Sequence, residues 1–209
     1  MHTLIIVESP TKARAVAQYV RGLFETPVRV IACLGHLRDL PEGTLNIEVA
    51  QGFRPLYAVR PNRQRLIPEL RLAIQQAGRI LLATDPDREG EAVAWHITQL
   101  FHAELNGKSV SRITYQAVTR EAVQAALYHP RPLDMPRVQA AIARRVMDRL
   151  FGYTLSPALW QGVQGRNLSA GRVQTSALRL LVEFERAGES DPYGSSNPPQ
   201  ETFSVEVDL

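Results

Sequence analysis

Carboxylates recur at every second position in the stretch Thr84-Asp85-Pro86-Asp87-Arg88-Glu89-Gly90-Glu91, directly after the apolar run Ile80-Leu81-Leu82-Ala83. That run has the length and composition of a buried strand. In extended chain Asp85 and Asp87 project to the same side, whereas Glu89 falls where a helix over Glu91–Phe101 begins. Like charges this close repel unless something cationic holds them. A hard divalent ion such as Mg²⁺ meets that need, because it takes oxygen ligands, keeps several waters and bridges to phosphate. The same residues also suit a solvated acidic turn, since Asp and Glu favour turns and first helical turns for local reasons.

A second acid favours the ion. Leu4-Ile5-Ile6-Val7 reads as another buried strand and ends in Glu8-Ser9-Pro10, with Pro10 suited to the first turn of a following helix. Ligands of parallel α/β sheets collect beyond the carboxyl ends of the strands, which places Glu8 on one rim with Asp85 and Asp87 as candidate metal ligands. The stretch Ile6-Val7-Glu8-Ser9-Pro10-Thr11-Lys12-Ala13, taken with Asp85-x-Asp87-x-Glu89-Gly90-Glu91-Ala92, resembles the Toprim domain, specifically that of type IA DNA topoisomerases. The resemblance implies a Rossmann-like α/β fold, Mg²⁺ as cofactor, and Glu8, Lys12, Asp85, Asp87, Arg88 and Glu89 as the catalytic group. In that setting a carboxyl such as Glu8 exchanges a proton with the 3′-oxygen, and Lys12 and Arg88 stabilise phosphoryl charge. Lys12 also reads as a solvated helix-face lysine.

The elements that must position these residues alternate. Strand 3–7 precedes a helix from about Pro10 to Leu23, then strand 28–34 and the loop Gly35-His36-Leu37-Arg38-Asp39-Leu40-Pro41. After a proline- and glycine-punctuated segment, Asn62 is placed to cap a helix over 63–77 that Gly78 stops. Strand 79–84, helix 89–103, a short strand 112–115 and helix 119–127 complete a parallel-type sheet with flanking helices, a domain spanning 1–128.

From His129 the pattern is helical only. Val138, Ile142, Val146 and Leu150 recur at four-residue spacing along a helix from Pro136 to Phe151, with Arg144, Arg145, Asp148 and Arg149 on flanking faces. Arg144 and Asp148 also suit a plain i,i+4 surface pair. A second helix opens at Leu168-Ser169-Ala170-Gly171-Arg172-Val173-Gln174, whose small residues and free amides favour close approach of an anion. Ala143–Tyr153, Ser156–Trp160 and Ser169–Gln174 again resemble type IA topoisomerases, in which such segments line a groove for single-stranded DNA. The resemblance assigns DNA contact to His36, Arg144, Arg145, Asp148, Tyr153, Trp160, Ser169, Ala170, Gly171, Arg172, Val173 and Gln174, within a helical DNA-binding segment over 129–187. Six motifs in family order run from residue 4 to 186.

Charge distribution agrees with a polyanionic partner. Net charge is +3, yet the basic residues are 22 arginines and only two lysines, Lys12 and Lys108. Residues 131–186 hold nine arginines and four acids, whereas 187–209 hold five acids and no basic residue. A single cysteine, Cys33, excludes a disulfide and a CxxC metal pair and reads as a small apolar strand residue. With no long apolar run and no export signal, the sequence points to the cytoplasm, beside the nucleoid, and away from membranes. Residues 188–209 read as a linker and then, at Glu201–Asp208, as an alternating strand like the first strand of the family's arch domain.

Three departures from the family stand out. Tyr115-Gln116-Ala117-Val118-Thr119 replaces a usual Phe-Asn-Glu-Ile-Thr, Ile142 a common Gln, and Asn167 a common Gly. The nucleophilic tyrosine of the family lies beside a Gly-x-x-Ser/Thr-Tyr-x-Arg-Thr pattern, and none of the six tyrosines here has that context. The resemblance therefore implies the amino-terminal part of an Mg²⁺-dependent enzyme that cuts, passes and rejoins one DNA strand, with the tyrosine supplied by a carboxyl-terminal half. The alternatives are a free-standing Toprim nuclease and a DNA-binding accessory protein.

Overall fold

A computed structural model describes residues 2–162 and 168–189. Strand β1 (His2–Val7) leads through helix α1 (Pro10–Tyr19) to β2 (Val28–Ala32). Ser9 starts α1 by accepting the Lys12 amide on its hydroxyl at 3.2 Å, with Pro10 in the first turn. Two short antiparallel pairs follow, β3 (Arg38–Asp39) with β6 (Ala58–Val59), and β4 (Ile47–Glu48) with β5 (Arg54–Pro55). Helix α2 (Ile67–Gln76), strand β7 (Ala77–Leu82), helices α3 (Arg88–Leu100) and α4 (His102–Leu105), strand β8 (Ser109–Arg112) and helix α5 (Arg120–Tyr128) complete the alternating part.

The main sheet has the order β2-β1-β7-β8, and each neighbouring pair is parallel. Strand periodicity divides the core between its two faces. Leu4, Ile6, Ile80 and Leu82 pack with Leu70, Ile74, Val93 and Ile97 from α2 and α3, and with Phe101 just after α3. Ile5, Val7 and Leu81 pack on the other face with Val16, Val123 and Ala126 from α1 and α5, and with Val20 just after α1. The chain leaves β1 towards β2 on one side and later returns to β7 on the other, so the order reverses at the carboxyl ends of β1 and β7.

Several boundaries differ from the sequence reading for local reasons. Gly78 does not stop α2 but lies inside β7, and Asn62 sits in a 3₁₀ turn, Pro61–Leu66, rather than at a helix cap. The end of α2 is closed instead by the Lys108 ammonium, which donates to the carbonyls of Ile74, Gln75 and Ala77 at 2.6–2.7 Å. β8 covers Ser109–Arg112, so the strand expected over 112–115 shares only Arg112 with it; β8 pairs along β7 from Arg79 to Leu82. The exit from β2 uses Leu34 and Gly35 in succession with left-handed φ of 60° and 79°, after which the His36 ring lies 5.5 Å from that of His96. Cys33 is fully buried beside this turn, and burial pushes its thiol up to about 12.

The helical part consists of α6 (Met135–Gly162) and α7 (Arg172–Glu189). α6 runs through Gly152 and Pro157, past the expected end at Phe151, although a mid-helix glycine costs about 1 kcal/mol and a mid-helix proline about 3 kcal/mol. The chain divides within it into two compact units, Met1–Leu150 and Phe151–Leu209. The first half of α6 joins the sheet unit because Val146, Ile142 and Leu150 pack on Leu40, Ile47 and Tyr57. α7 is amphipathic, and Val173, Leu180, Leu181 and Phe184 on its apolar stripe are exposed. The strand expected over Glu201–Asp208 lies outside the described residues.

Candidate active site at the carboxyl ends of β1 and β7

The acids meet where the topology reverses. Glu8, the residue after β1, accepts the Asp85 backbone amide on Oε1 at 2.9 Å, joining the two strand ends directly. One turn into α1, Lys12 brings its ammonium onto the Asp85 carboxylate. Asp85 and Asp87 do not act as a parallel pair. Asp87 turns away to cap α3, accepting the Gly90 amide on Oδ1 at 2.7 Å, because the chain is already entering the helix there. Arg88 and Glu89 lie exposed in the first turn, and the Glu89 carboxylate stands 3.4 Å from His36 Nε2.

Beneath the loop lies a buried charge network. Glu91 and Arg112 are both fully buried. Arg112 donates Nε to Glu91 Oε2 at 3.1 Å, Nη1 to the carbonyls of Leu82 and Ile113 at 2.9 and 2.8 Å, and Nη2 to the carbonyl of Asp85. Glu91 also takes both Arg131 Nη groups, at 3.0 and 2.8 Å, and the Asp134 amide at 2.7 Å. Burial opposes the charge on Glu91, but these donors outweigh it and hold the carboxyl below its ordinary range. Gly90 lets the helix approach: its amide and carbonyl are taken by Asp87 and the Thr84 hydroxyl, and a Cβ there would lie 2.2 Å from the Asp85 carbonyl oxygen.

Beside the acids a cavity of about 250 Å³ is lined by His36, Arg38, Asp39, Tyr57, His96 and Arg145, among others. His96 is 3% exposed, and its Nδ1 has no partner among the described residues. The Arg38 guanidinium lies over the rings of Tyr57 and Trp95 at 5.8 and 5.5 Å. Arg145 forms a two-pronged bond to Asp39 at 2.8 and 3.0 Å; burial opposes the Asp39 charge, yet that bond keeps its carboxyl below the usual range. Burial, with Arg38 and His36 adding to it, presses His96 down to about 3. Its folded value lies below its unfolded one, so stability is full above about pH 6.5 and falls as acid charges the unfolded chain first, approaching about 1.4 kcal/mol per pH unit. Urea unfolding between pH 5 and 6.5 should show this slope in the wild type and a flatter one in His96→Asn.

The other DNA-contact candidates divide between the two units. In the sheet unit, Arg144 faces Asp148 at 3.7 Å along α6. Arg149 is not a flanking surface residue. It is buried, and its guanidinium binds the carbonyls of Leu40, Pro41 and Thr44. In the second unit Trp160 is 59% exposed and donates Nε1 to the Leu168 carbonyl at 2.6 Å, while the Ala170 amide donates to the Ser156 hydroxyl at 3.0 Å. Tyr153 is partly exposed. Ser169, Ala170 and Gly171 precede α7, whose first residues are Arg172, Val173 and Gln174.

Glu8, Asp85 and Asp87 are the hard oxygen donors that a divalent cation takes. Among the described residues, no three His, Cys, Asp or Glu side chains stand arranged round one cation position. Each of the three carboxylates is instead engaged by a donor of the protein, the Asp85 amide, Lys12 and the Gly90 amide. The Lys12 ammonium thus holds the charge balance at Asp85. Sequence reasoning missed the roles of Glu91, Arg112, Gly90 and His96. Glu91 stood within the quoted motif, but its partners lie 21 and 40 residues further along the chain.

The Toprim domain family matches residues 3–117 and the DNA topoisomerase family residues 132–191. A DNA topoisomerase 1 of Synechococcus elongatus is 42% identical over 209 residues, taking in 93% of this chain and 23% of that protein. A DNA topoisomerase 1 of Zymomonas mobilis is 40% identical over 207 residues, with 99% of this chain and 16% of that protein covered. The solved full-length topoisomerase I from Thermotoga maritima shares the fold with a TM-score of 0.78 at 36% identity, over 90% of this chain and 31% of that one. The chain therefore spans less than a third of each of these relatives. With the first match covering more than half of its residues and the second the helical part, this chain belongs to the Toprim family and corresponds to the amino-terminal region of a type IA DNA topoisomerase.

Proposed function

We propose that these residues form the ion-binding and strand-gripping part of a type IA topoisomerase that relaxes negatively supercoiled DNA in the cytoplasm by cutting, passing and rejoining one strand. The observation that carries this reading is the junction of Glu8 with Asp85 at the reversal point of the sheet, with Lys12 beside it. Glu8, Asp85 and Asp87 would hold Mg²⁺, displacing Lys12 from Asp85. When bound, the ion offsets phosphate charge and helps to position the leaving oxygen.

The side chains supply the remaining chemistry. Glu8 gives a proton to the departing 3′-oxygen and removes it on rejoining. Lys12, released from Asp85, and Arg88, exposed at the start of α3, face the charge that develops on phosphorus. His36, Arg144, Arg145, Asp148, Tyr153, Trp160 and the stretch Ser169–Gln174 hold the single strand, the arginines at phosphates and the aromatics against bases. The nucleophilic tyrosine comes from the carboxyl-terminal half of the enzyme.

Fluorescence anisotropy with a labelled oligonucleotide tests the grip. Single-stranded DNA should bind more tightly than duplex, weaken steeply between 50 and 200 mM salt as expected for several released counterions, and bind Arg172→Ala more weakly whatever its sequence. Equal affinity of the wild type and Arg172→Ala would remove the groove assignment.

A further inference from the structure

Two arginines from different elements grip consecutive carbonyls of the acidic loop. Arg112, at the end of β8, donates Nη2 to the Asp85 carbonyl, and Arg137, in the first turn of α6, donates Nη1 to the Pro86 carbonyl at 2.9 Å. Neither guanidinium touches a carboxylate of the loop in these bonds. Each fixes the backbone from which Asp85 and Asp87 project. The start of α6 is bound to the same assembly a second time, because the Asp134 amide donates to Glu91 Oε1 at 2.7 Å while Asp134 Oδ1 accepts the Arg137 amide at 3.1 Å. α6 is thus connected to the loop through Arg137 directly and through Glu91 and Arg112 from below. About two turns further on, the same helix carries Arg144 and Arg145.

We infer that Arg137 is a positioning residue that couples the two ligands of the site, so that single-stranded DNA held on α6 tightens ion binding at Asp85 and Asp87, and the ion tightens DNA in return. This rests on the proposed ion and DNA roles. A polyanion pulling on the α6 arginines acts on a rigid helix whose first turn is bonded to Pro86, between the two aspartates. Displacement there moves the loop that supplies the ligands, and linkage makes the effect reciprocal. Arg137 is half-exposed, so its truncation leaves the core intact, unlike a change at the buried Arg112.

The test uses the full 209-residue chain and Mn²⁺, read as free ion by electron paramagnetic resonance, with and without a short single-stranded oligonucleotide and with an oligonucleotide-only blank. In the wild type the oligonucleotide should tighten Mn²⁺ binding roughly 5-fold, the lower end of ordinary coupling. Arg137→Ala should bind Mn²⁺ and the oligonucleotide separately but show a ratio near one, and Arg137→Lys should regain part of the coupling. In the ligand-free protein, exchange of the Asp85 amide, the proton held by Glu8, should quicken in Arg137→Ala with no change in melting temperature. Full coupling in Arg137→Ala, or none in the wild type, overturns the inference while leaving the ion site standing. Mn²⁺ binding that survives Asp85→Asn with Asp87→Asn sinks both.

Discussion

Gly90→Ala is expected to disrupt the acidic loop while leaving the rest of the sheet unit folded. The added Cβ would lie 2.2 Å from the Asp85 carbonyl oxygen, 2.7 Å from its nitrogen and 2.8 Å from its carbonyl carbon, all backbone atoms that cannot rotate away. The first turn of α3 or the loop must move. Either movement pulls the Asp85 amide from Glu8 and the Gly90 amide from Asp87. Overpacking of this kind costs about 1–3 kcal/mol, so the urea midpoint should fall clearly, and the amide resonances of Asp85 and Gly90 should shift furthest. Gly171→Ala serves as the control. The nearest atoms to its Cβ among the described residues belong to the flexible Gln174 side chain, which can swing aside. Equal loss of stability in the two variants would show that the contact at Asp85 is relieved without consequence.

Glu91→Leu is expected to be the most damaging single change in the sheet unit. Among the described residues it removes the one carboxylate paired with the fully buried Arg112 guanidinium, and it takes the acceptor from Arg131 and from the Asp134 amide. Breaking a buried pair from one side costs about 3–5 kcal/mol, because the remaining charge is left without compensation. Replacing both partners, with Glu91→Leu and Arg112→Met, should recover much of that loss in thermal unfolding, yet not the loop geometry, since the Asp85 carbonyl loses its donor. The same carboxylate gives an acid limit. Its folded value lies below the unfolded one, so its contribution is complete above the ordinary carboxylate range and disappears as pH falls through the depressed folded value. Glu91→Leu should therefore be less acid-sensitive than the wild type, though weaker at neutral pH.

The sheet and the rim were legible because the apolar runs Leu4–Val7 and Ile80–Ala83 are each followed within two residues by an acid, and parallel topology brings such ends together. The partners of the acids were not legible. Whether Asp87 faces Asp85 or caps α3 depends on where the helix starts, and a period-2 reading of the motif cannot place that start within a residue. Arg149 looked like a surface arginine because it flanks the apolar stripe of its helix, but three carbonyls of the segment after β3 converge on it, contacts more than a hundred residues apart in sequence. The end of α2 was misread for a related reason. A glycine was the visible stop signal, whereas the actual one is a lysine from the next crossover.

That lysine bears on how far this sequence can drift. A chain that has 22 arginines and only two lysines has the composition of one under pressure to exchange the second for the first. Lys108 resists the exchange on geometric grounds. Three carbonyl oxygens converge on one point, and an ammonium offers three hydrogens from a single atom, whereas a planar guanidinium spreads its donors over a fork too wide for the gap. Lys12 likewise sets a compact point charge directly on the Asp85 carboxylate. The rarest basic residue of the chain thus marks the positions where mutational bias towards arginine meets a limit set by stereochemistry.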